Sequence, residues 1–484
     1  MQNLRAAIES FAASSQQPAL SEPGEEIIEI HDGNLVLDEQ NGSLLLQVWD
    51  DRRNIARKVT GIESQTKSRL TLRIERFGGK KGTLSLIDLK RTDSQAMGRR
   101  PARLEFREVF RRFLRRTFPS HSLAELSTEP NLQQSLSSIY PRALLKQGSS
   151  ALAAIGAAAD DTPVDSVLSF GLIWLDYLRR RDPNLPIRGL ALFLPQGLEK
   201  TTALRMRYFD PAAVAGSLYV YSQDGHVVAV DLADYGNVDT RLDPCRAMHA
   251  SDAGQFGSQI SAFEGVETVS IPGGVLSFRV RGLEFARYGK GELTFGLETK
   301  RAMRASNLGE IHTIASHLAQ VRGPEARDRH HPLYSRNPES WLESQVRNNI
   351  EDLDPSLLPE PVYGQVPAFA AAERGVIDLL AIDRSGRLAV IELKASADID
   401  LPLQALDYWL RVKWHLDRNE FTGNGYFPGT ELRTTPPRLL LVAPALEFHP
   451  SNERVLRFFS RQVAVERLGV GVEWQKQLKL MYRM

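Results

Sequence analysis

Between Ile27 and Leu89 apolar and polar residues alternate in short runs, LVLD, SLLLQVW, RLTLRIE and TLSLIDL, separated by NG, GG and KKG turns. A period of two places alternate side chains on one face, so this stretch predicts β-hairpins, with one helical insert near residues 52–59. The Ser-, Gln- and Pro-rich residues 13–24 ahead of it predict a flexible lead-in. The period then changes. Phe106, Phe110, Phe113 and Leu114 recur at helical spacing, which predicts an amphipathic helix. Residues 120–160, rich in Ser, Ala and Gln, predict helix. A further helix is expected near 164–180, a buried strand at 189–194, a β-rich stretch over about 203–300, and a linker at 324–338.

The last 150 residues carry the clearest pattern. It predicts a helix at 338–351 with Leu342, Val346 and Ile350 as its apolar stripe, and strands at 376–382 and 388–394 joined by a polar turn. A helix at 401–416, a strand at 438–443, a helix at 452–462 and a strand at 463–474 complete it. The fold class is therefore mixed α/β. The divisions expected are a lead-in over 1–24, a β-hairpin region with a helix over 25–215, a β-rich region and linker over 216–325, and a final domain over 326–484.

Composition narrows the picture only in part. A chain of 484 residues suggests about three domains. With 42% hydrophobic, 25% charged and 8% aromatic residues, it is excluded from the disordered, collagenous and coiled-coil classes. The single cysteine, Cys245, makes no internal disulfide and no Cys₄ zinc site, and fits a reducing cytoplasmic setting. No apolar run is long enough to span a bilayer, and the N-terminus lacks the pattern of an export signal, so no membrane role is expected.

The formal net charge of +1 is uninformative as a total, but residues 90–116 hold ten Lys/Arg against three Asp/Glu, a local balance of +7. Arg99, Arg100, Arg103, Arg107, Arg111, Arg112, Arg115 and Arg116 surround the apolar stripe of the predicted helix. Such a face is either solvated or a contact for nucleic-acid phosphates. The adjacent His330 and His331 point apart on most backbones and are read as linker.

Register arithmetic sharpens the hairpin of the last domain. If Ile382 and Leu388 close its five-residue turn, Asp378 falls opposite Glu392, and Lys394 shares their face. The other positions of both strands are apolar, so two carboxylates would meet in a buried setting and repel unless a cation lay between them. A salt bridge with Lys394 that merely staples the sheet would leave one acid unpaired. Mg²⁺ or Mn²⁺, a hard cation held by one or two carboxylates, is the economical partner. The Leu393 carbonyl and Glu343 on the preceding helix are further candidate ligands, and Lys394 could orient an attacking water. Gln404 and Tyr408, four apart, lie on one face of the next helix.

Glu343, Asp378, Glu392-x-Lys394 and Gln404-x-x-x-Tyr408, in that order, resemble the PD-(D/E)XK nucleases, in particular the RecB-like branch. GVIDLLAIDRSGRLAVIELK is most similar to the nuclease domain of NucS-like endonucleases. The resemblance covers about the last third of the chain. It implies a restriction-endonuclease-like domain with a central mixed sheet flanked by helices. It also implies Glu343, Asp378 and Glu392 as metal-binding acids, Lys394 as catalytic lysine, and Gln404 and Tyr408 as supports for the site and the DNA strand. The expected activity is Mg²⁺- or Mn²⁺-dependent phosphodiester hydrolysis, on DNA more than RNA, by an endonuclease of repair, recombination or defence that could pair as a homodimer. The alternative is a non-catalytic nucleic-acid-binding or assembly protein that keeps this fold as a scaffold.

An internal echo is also present. GTLSLIDLK (82–90) aligns on GRLAVIELK (386–394), the LDY of 175–177 on that of 406–408, and RGLALFLPQGLE (188–199) on RLLLVAPALE (438–447). These are read as ordinary hairpin, helix and strand patterns, with a decayed second copy of the nuclease fold as the alternative. Such a copy would be inactive, since LTLRIE (70–75) lacks the matching Asp and Ile173 stands at the place of Gln404.

Overall fold

The computed structural model describes the chain except residues 1, 16, 22–27, 32–33, 41–42, 50–53, 67–68, 76–80, 89–104, 160–162, 324, 327, 330 and 368–375. Two compact units divide it, Met1–Glu108 and Val109–Met484. Among the described residues, no helix is long and apolar enough to cross a membrane.

In the first unit, helix α1 (Gln2–Ser14) precedes seven strands: β1 (Pro18–Ser21), β2 (Ile28–Glu29), β3 (Leu35–Gln40), β4 (Ser43–Trp49), β5 (Asn54–Gln65), β6 (Arg69–Glu75) and β7 (Lys81–Asp88). They form one antiparallel sheet in the order β2-β1-β7-β6-β5-β4-β3. Alternate residues such as Leu44, Leu46, Leu70, Leu72, Leu84 and Leu86 share a core with Ile8 and Phe11 of α1. The helical insert expected near 52–59 is not there. Ile55 and Val59 are buried in β5, paired with Val48 and Leu44, because their period of two matches the sheet.

The division at Glu108/Val109 falls within the basic helix α2, residues 105–117, so the second unit starts with its last nine residues. Next come β8 (Ser122–Ser127), β9 (Arg142–Gln147), β10 (Ser150–Gly156), α3 (Val167–Arg181), β11 (Ile187–Pro195), α4 (Lys200–Met206), β12 (Ala215–Tyr221) and β13 (Val227–Ala229). The helix expected over 120–160 is thus replaced by three strands. Alanine favours helices, but tertiary packing overrides propensity here. Ala151, Ala153 and Ala154 are buried in β10, which lies between β9 and β11. Small residues let the covering helices approach: a Cβ on Gly156 would lie 2.9 Å from Phe110 of α2, and one on Gly171 of α3 would lie 3.0 Å from Ile155.

Helix α5 (Gly254–Ser261), strands β14 (Val266–Ile271), β15 (Val275–Val280), β16 (Leu283–Gly289), β17 (Glu292–Phe295) and β18 (Arg301–Ala302), and helix α6 (Leu308–Val321) build a small antiparallel layer. Ile260, Phe278, Phe285, Ile311 and Leu318 fill its core. The expected linker contains a short helix, α7 (Pro332–Ser335), and His331 caps it by accepting a bond from the Leu333 amide at 3.1 Å. His330 lies outside the described residues.

The rest of the chain comprises α8 (Pro338–Asn348), α9 (Ile350–Leu353), β19 (Tyr363–Pro367), β20 (Val376–Ile382), β21 (Leu388–Leu393), α10 (Leu401–Asp417), α11 (Glu420–Gly423), β22 (Arg438–Pro444), α12 (Pro450–Leu456), β23 (Ala464–Val470) and β24 (Leu480–Arg483). Helix α12 is shorter than the expected 452–462 because the chain turns at Phe459 to bridge Phe209.

Two of the sheets have one topology. The orders β8-β9-β10-β11-β12-β13 and β19-β20-β21-β22-β23-β24 match strand for strand, with the same sequence of antiparallel, antiparallel, parallel, parallel and antiparallel pairings. The registers coincide as well. Gly189↔Ala215 through Pro195↔Tyr221 in one sheet correspond to Arg438↔Ala464 through Pro444↔Val470 in the other. The echoes at LDY and at RGLALFLP therefore belong to equivalent helices and strands. The echo at 82–90 does not: residues 82–88 lie in the sheet of the first unit, residues 89–90 are outside the described ones, and the counterpart of β21 is β10.

The two halves meet reciprocally. Phe209 bridges and stacks on its own counterpart Phe459, with ring centroids 5.9 Å apart. The Asp210 amide donates to the Phe458 carbonyl at 2.8 Å, and the Ser460 amide to the Tyr208 carbonyl at 2.7 Å. Helix α4 touches α10, and α12 touches α3. One apolar core runs through both halves. At its edge Arg205 of α4 makes a buried, two-pronged ion pair with Asp407 of α10, at 2.7 and 2.9 Å. Removing one partner of such a pair strands the other charge, so Asp407→Ala is expected to lower unfolding free energy by about 3–5 kcal/mol in urea titrations. An unchanged midpoint would mean that the pair does not join the halves.

Candidate functional site

The β20–β21 hairpin is built by its turn. Asp383 Oδ1 accepts from the amides of Ser385 at 2.8 Å and Arg387 at 3.0 Å, and Gly386 supplies the left-handed residue with φ of 85°. That turn fixes the pairing Ile382↔Leu388 through Leu379↔Ile391; Asp378 and Glu392 are the next residues along the two strands, and their carboxyl groups lie close enough to interact. Strand β21 is buried along its whole length between β20 and β22, so its one carboxylate has no route to bulk water along the sheet.

Asp378 Oδ2 accepts the Leu393 amide at 2.8 Å, which holds the carboxylate at the open end of β21. Burial pushes the Asp378 carboxyl up to about 7, against the pull of that amide, and the neighbouring Glu343 charge adds to the rise. Glu392 is 2% exposed, and its Oε2 is buried without a hydrogen-bond partner among the described residues. Burial first and the Asp378 charge second push its carboxyl well above the ordinary range. Lys394 Nζ lies 3.9 Å from Glu392 Oε1 and 3.7 Å from Asp398 Oδ2, a loose bridge between two acids. Asp398 was missed in the sequence, although its spacing of four from Lys394 was there to be read.

Tyr408 is buried on α10, and Gln404 Nε2 reaches its hydroxyl at 3.5 Å. Burial raises the Tyr408 phenol, and the nearby Glu392 charge raises it further. The structure therefore brings Asp378, Glu392, Lys394, Gln404 and Tyr408 to one side of the sheet. The reason is parity: residues 378 and 392 alternate with Leu380, Ile382, Leu388 and Val390, which share the core with α10.

Glu343 is close enough for its charge to raise the Asp378 carboxyl, but its oxygens are taken up by other partners. Helix α8 covers the opposite face, with Leu379, Ala381, Ala389 and Ile391. Both Glu343 oxygens lie 3.3 Å from Arg279 Nη1 of β15, and Oε1 accepts from Arg347 Nη1 at 2.8 Å. Arg347 also pairs with Glu267 at 3.3 Å. A Cβ on Gly364 would lie 2.7 Å from Glu343 Oε1, so glycine is what makes room for this cluster. Glu343 thus stands as an acid neutralised by two arginines and not as an open ligand. The i, i+4 spacing to Arg347 was legible; Arg279, 64 residues away, was not.

Among the described residues no group of three or more His, Cys, Asp or Glu could hold a metal ion. What remains is a two-carboxylate site with one unpartnered oxygen, which fits a cation that keeps most of its shell as water and phosphate oxygens. The basic helix lies elsewhere. Phe110, Phe113 and Leu114 of α2 are buried, and Phe113 meets Phe193 and Tyr221 of the first half. Arg112, Arg115 and Arg116 are exposed, Arg107 pairs with Glu108 at 3.1 Å, and Arg111 is half-buried. Arg99, Arg100 and Arg103 lie outside the described residues. No protein-family model and no curated protein matches the chain.

The raised Asp378 carboxyl has a stability consequence. Between about 4 and about 7 the unfolded chain has released a proton that the metal-free native site still binds, so stability falls as pH rises through that window. Asp378→Asn removes the penalty, and the metal-free variant is expected to be more stable than wild type at pH 8 by on the order of 1–3 kcal/mol, and equal to it near pH 4. Mn²⁺ should raise the unfolding midpoint of the wild type and leave that of the variant unmoved. Equal pH profiles for the two proteins would refute the assignment.

Proposed function

We propose that the chain is a metal-dependent nuclease that hydrolyses phosphodiester bonds, with DNA as the preferred substrate. The carrying observation is the pair Asp378 and Glu392, facing each other at a buried strand end with Glu392 Oε2 unpartnered and Lys394 alongside. Two ionised acids at this strand end repel, and a cation between them would relieve that repulsion and give Glu392 Oε2 a partner. Mg²⁺ or Mn²⁺ would be held by Asp378 and Glu392, with the Leu393 carbonyl as a further donor. When bound, the ion acts as a Lewis acid and lowers the pKa of its water.

The chain's own residues supply the rest. Asp378 is oriented by the Leu393 amide, so its second oxygen is directed by the backbone rather than by a mobile rotamer. The Lys394 ammonium offers donors to an attacking water or to a non-bridging phosphate oxygen, and its positive charge offsets charge that develops on phosphorus. Tyr408 and Gln404 limit the position of Glu392 from the α10 side. The exposed Arg112, Arg115 and Arg116 on α2 offer a phosphate-binding face.

One observation favours a second reading. The commitment of Glu343 to Arg279 and Arg347 leaves two acids where the resemblance implies three, which fits a nucleic-acid-binding scaffold that has lost hydrolysis. A plasmid-nicking assay with Mg²⁺ and with Mn²⁺ separates the two. The nuclease reading expects the wild type to cut and Asp378→Ala and Lys394→Ala each to lose about 10²-fold or more, as removal of a charge-stabilising group does. Binding without cutting would favour the scaffold, and undiminished cutting by Asp378→Ala would place the chemistry elsewhere.

A further inference from the structure

The two matched halves differ in one respect that bears on the product. Leu192 stands in β11 where Leu441 stands in β22, because the β11–β12 and β22–β23 registers coincide. The residue beside Leu441 in the hairpin is Glu392, and the residue beside Leu192 is Ile155. Two residues on, Ala157 takes the place of Lys394: the Ala157 amide donates to Phe193, and the Lys394 amide to the equivalent Val442, each at 3.0 Å. Across the hairpin Arg142 pairs with Ile155, and the equivalent positions one step beyond Leu379↔Ile391 are Asp378 and Glu392. From the LDY alignment, Ile173 of α3 replaces Gln404.

The first half therefore has no acid, no lysine and no glutamine at these positions. In their place is a fixed guanidinium. Arg142 is buried, donates to the carbonyls of Ser137 at 3.1 Å and Glu129, and lies 5.4 Å from the Trp174 ring centroid. A protein-borne cation, held by two carbonyls and an aromatic face, stands where the other half presents two carboxylates, and a second cation is repelled there.

The reciprocal contact of the halves is of the kind that two-fold dimers make, in which a residue meets its own counterpart. Here Phe209 meets Phe459 within one chain, Asp400 of the second half accepts from Ser166 and Ser169 of the first, each at 2.6 Å, and α4 packs on α10 as α12 packs on α3. This face is closed to a second copy. The strands of duplex DNA are themselves related by two-fold axes, so a two-fold pair with two sites addresses both strands, and a pair with one site addresses one.

We infer that one chain acts as a two-lobed unit with one hydrolytic centre, and that it nicks a single strand of duplex DNA per binding event. This rests on the nuclease reading. The step is hydrolysis: the water oxygen bonds to phosphorus and gives up one proton to solvent, the P–O ester bond breaks, and the leaving oxygen takes one proton from solvent.

Two measurements on the full chain test it. In a time course on supercoiled plasmid with Mg²⁺, and again with Mn²⁺, nicked circles should exceed linear product at least tenfold early on. The nicking rate should rise in proportion to protein concentration. In Mn²⁺ binding followed by electron paramagnetic resonance, Glu392→Gln should abolish all specific binding, since the first lobe offers none. Linear product formed together with nicked circles, a rate that rises with the square of concentration, or residual specific Mn²⁺ binding in Glu392→Gln would each overturn the single-site inference while leaving a nuclease. No cutting of any duplex and no Mn²⁺ binding by the wild type would instead overturn the nuclease reading, and this inference with it.

Discussion

Two carboxylates forced together at a buried strand end are the constraint around which the second unit is arranged. Glu392 cannot leave, because β21 is a central strand, and Asp378 cannot turn away, because the Leu393 amide holds it. Without a cation both acids are driven towards their protonated forms. Lys394 sits at loose-bridge distance and is shared with Asp398, so it compensates one charge incompletely rather than cancelling the pair. The proposed divalent ion would answer this uncompensated charge.

The same sheet topology appears twice, and the comparison separates the charged residues from what the fold requires. Where Ile155, Ala157 and Arg142 replace the charged trio, the fold is unchanged in strand order and register. The fold thus does not need Asp378, Glu392 or Lys394 for its own stability, and a scaffold could dispense with them as the first half has done. Their presence in one half only turns a symmetric pair of lobes into an asymmetric one. The ion pair Arg205–Asp407 and the Phe209–Phe459 contact hold that asymmetry within a single chain.

Much of the site was legible because it is local. A five-residue turn and a period of two were enough to place Asp378 opposite Glu392, and the four-residue spacing of Gln404 and Tyr408 put them on one face of α10. The misreadings have long-range causes. Residues 142–156 carry helix-favouring alanines, but they lie between two strands whose pairing partners are distant in sequence. Residues 54–65 were split between helix and strand because no local signal announces that Val48 and Leu44 await them. Glu343 was assigned from order along the chain, whereas its environment is set by Arg279, a residue of another layer, and by the sheet face that α8 covers. The repeat was half-seen for the same reason: the helix and central-strand echoes are local, but the matching hairpin has lost the very residues that would have announced it.

The central claim is that Asp378 and Glu392 together hold a divalent cation. An anomalous difference map from crystals grown with Mn²⁺ tests it most directly. The account predicts a peak about 2.1 Å from a carboxylate oxygen of each residue, as hard-cation coordination requires, and no peak beside Arg142. A map empty at this site under saturating Mn²⁺, with the two carboxyl groups hydrogen-bonded to one another through a shared proton, would contradict it.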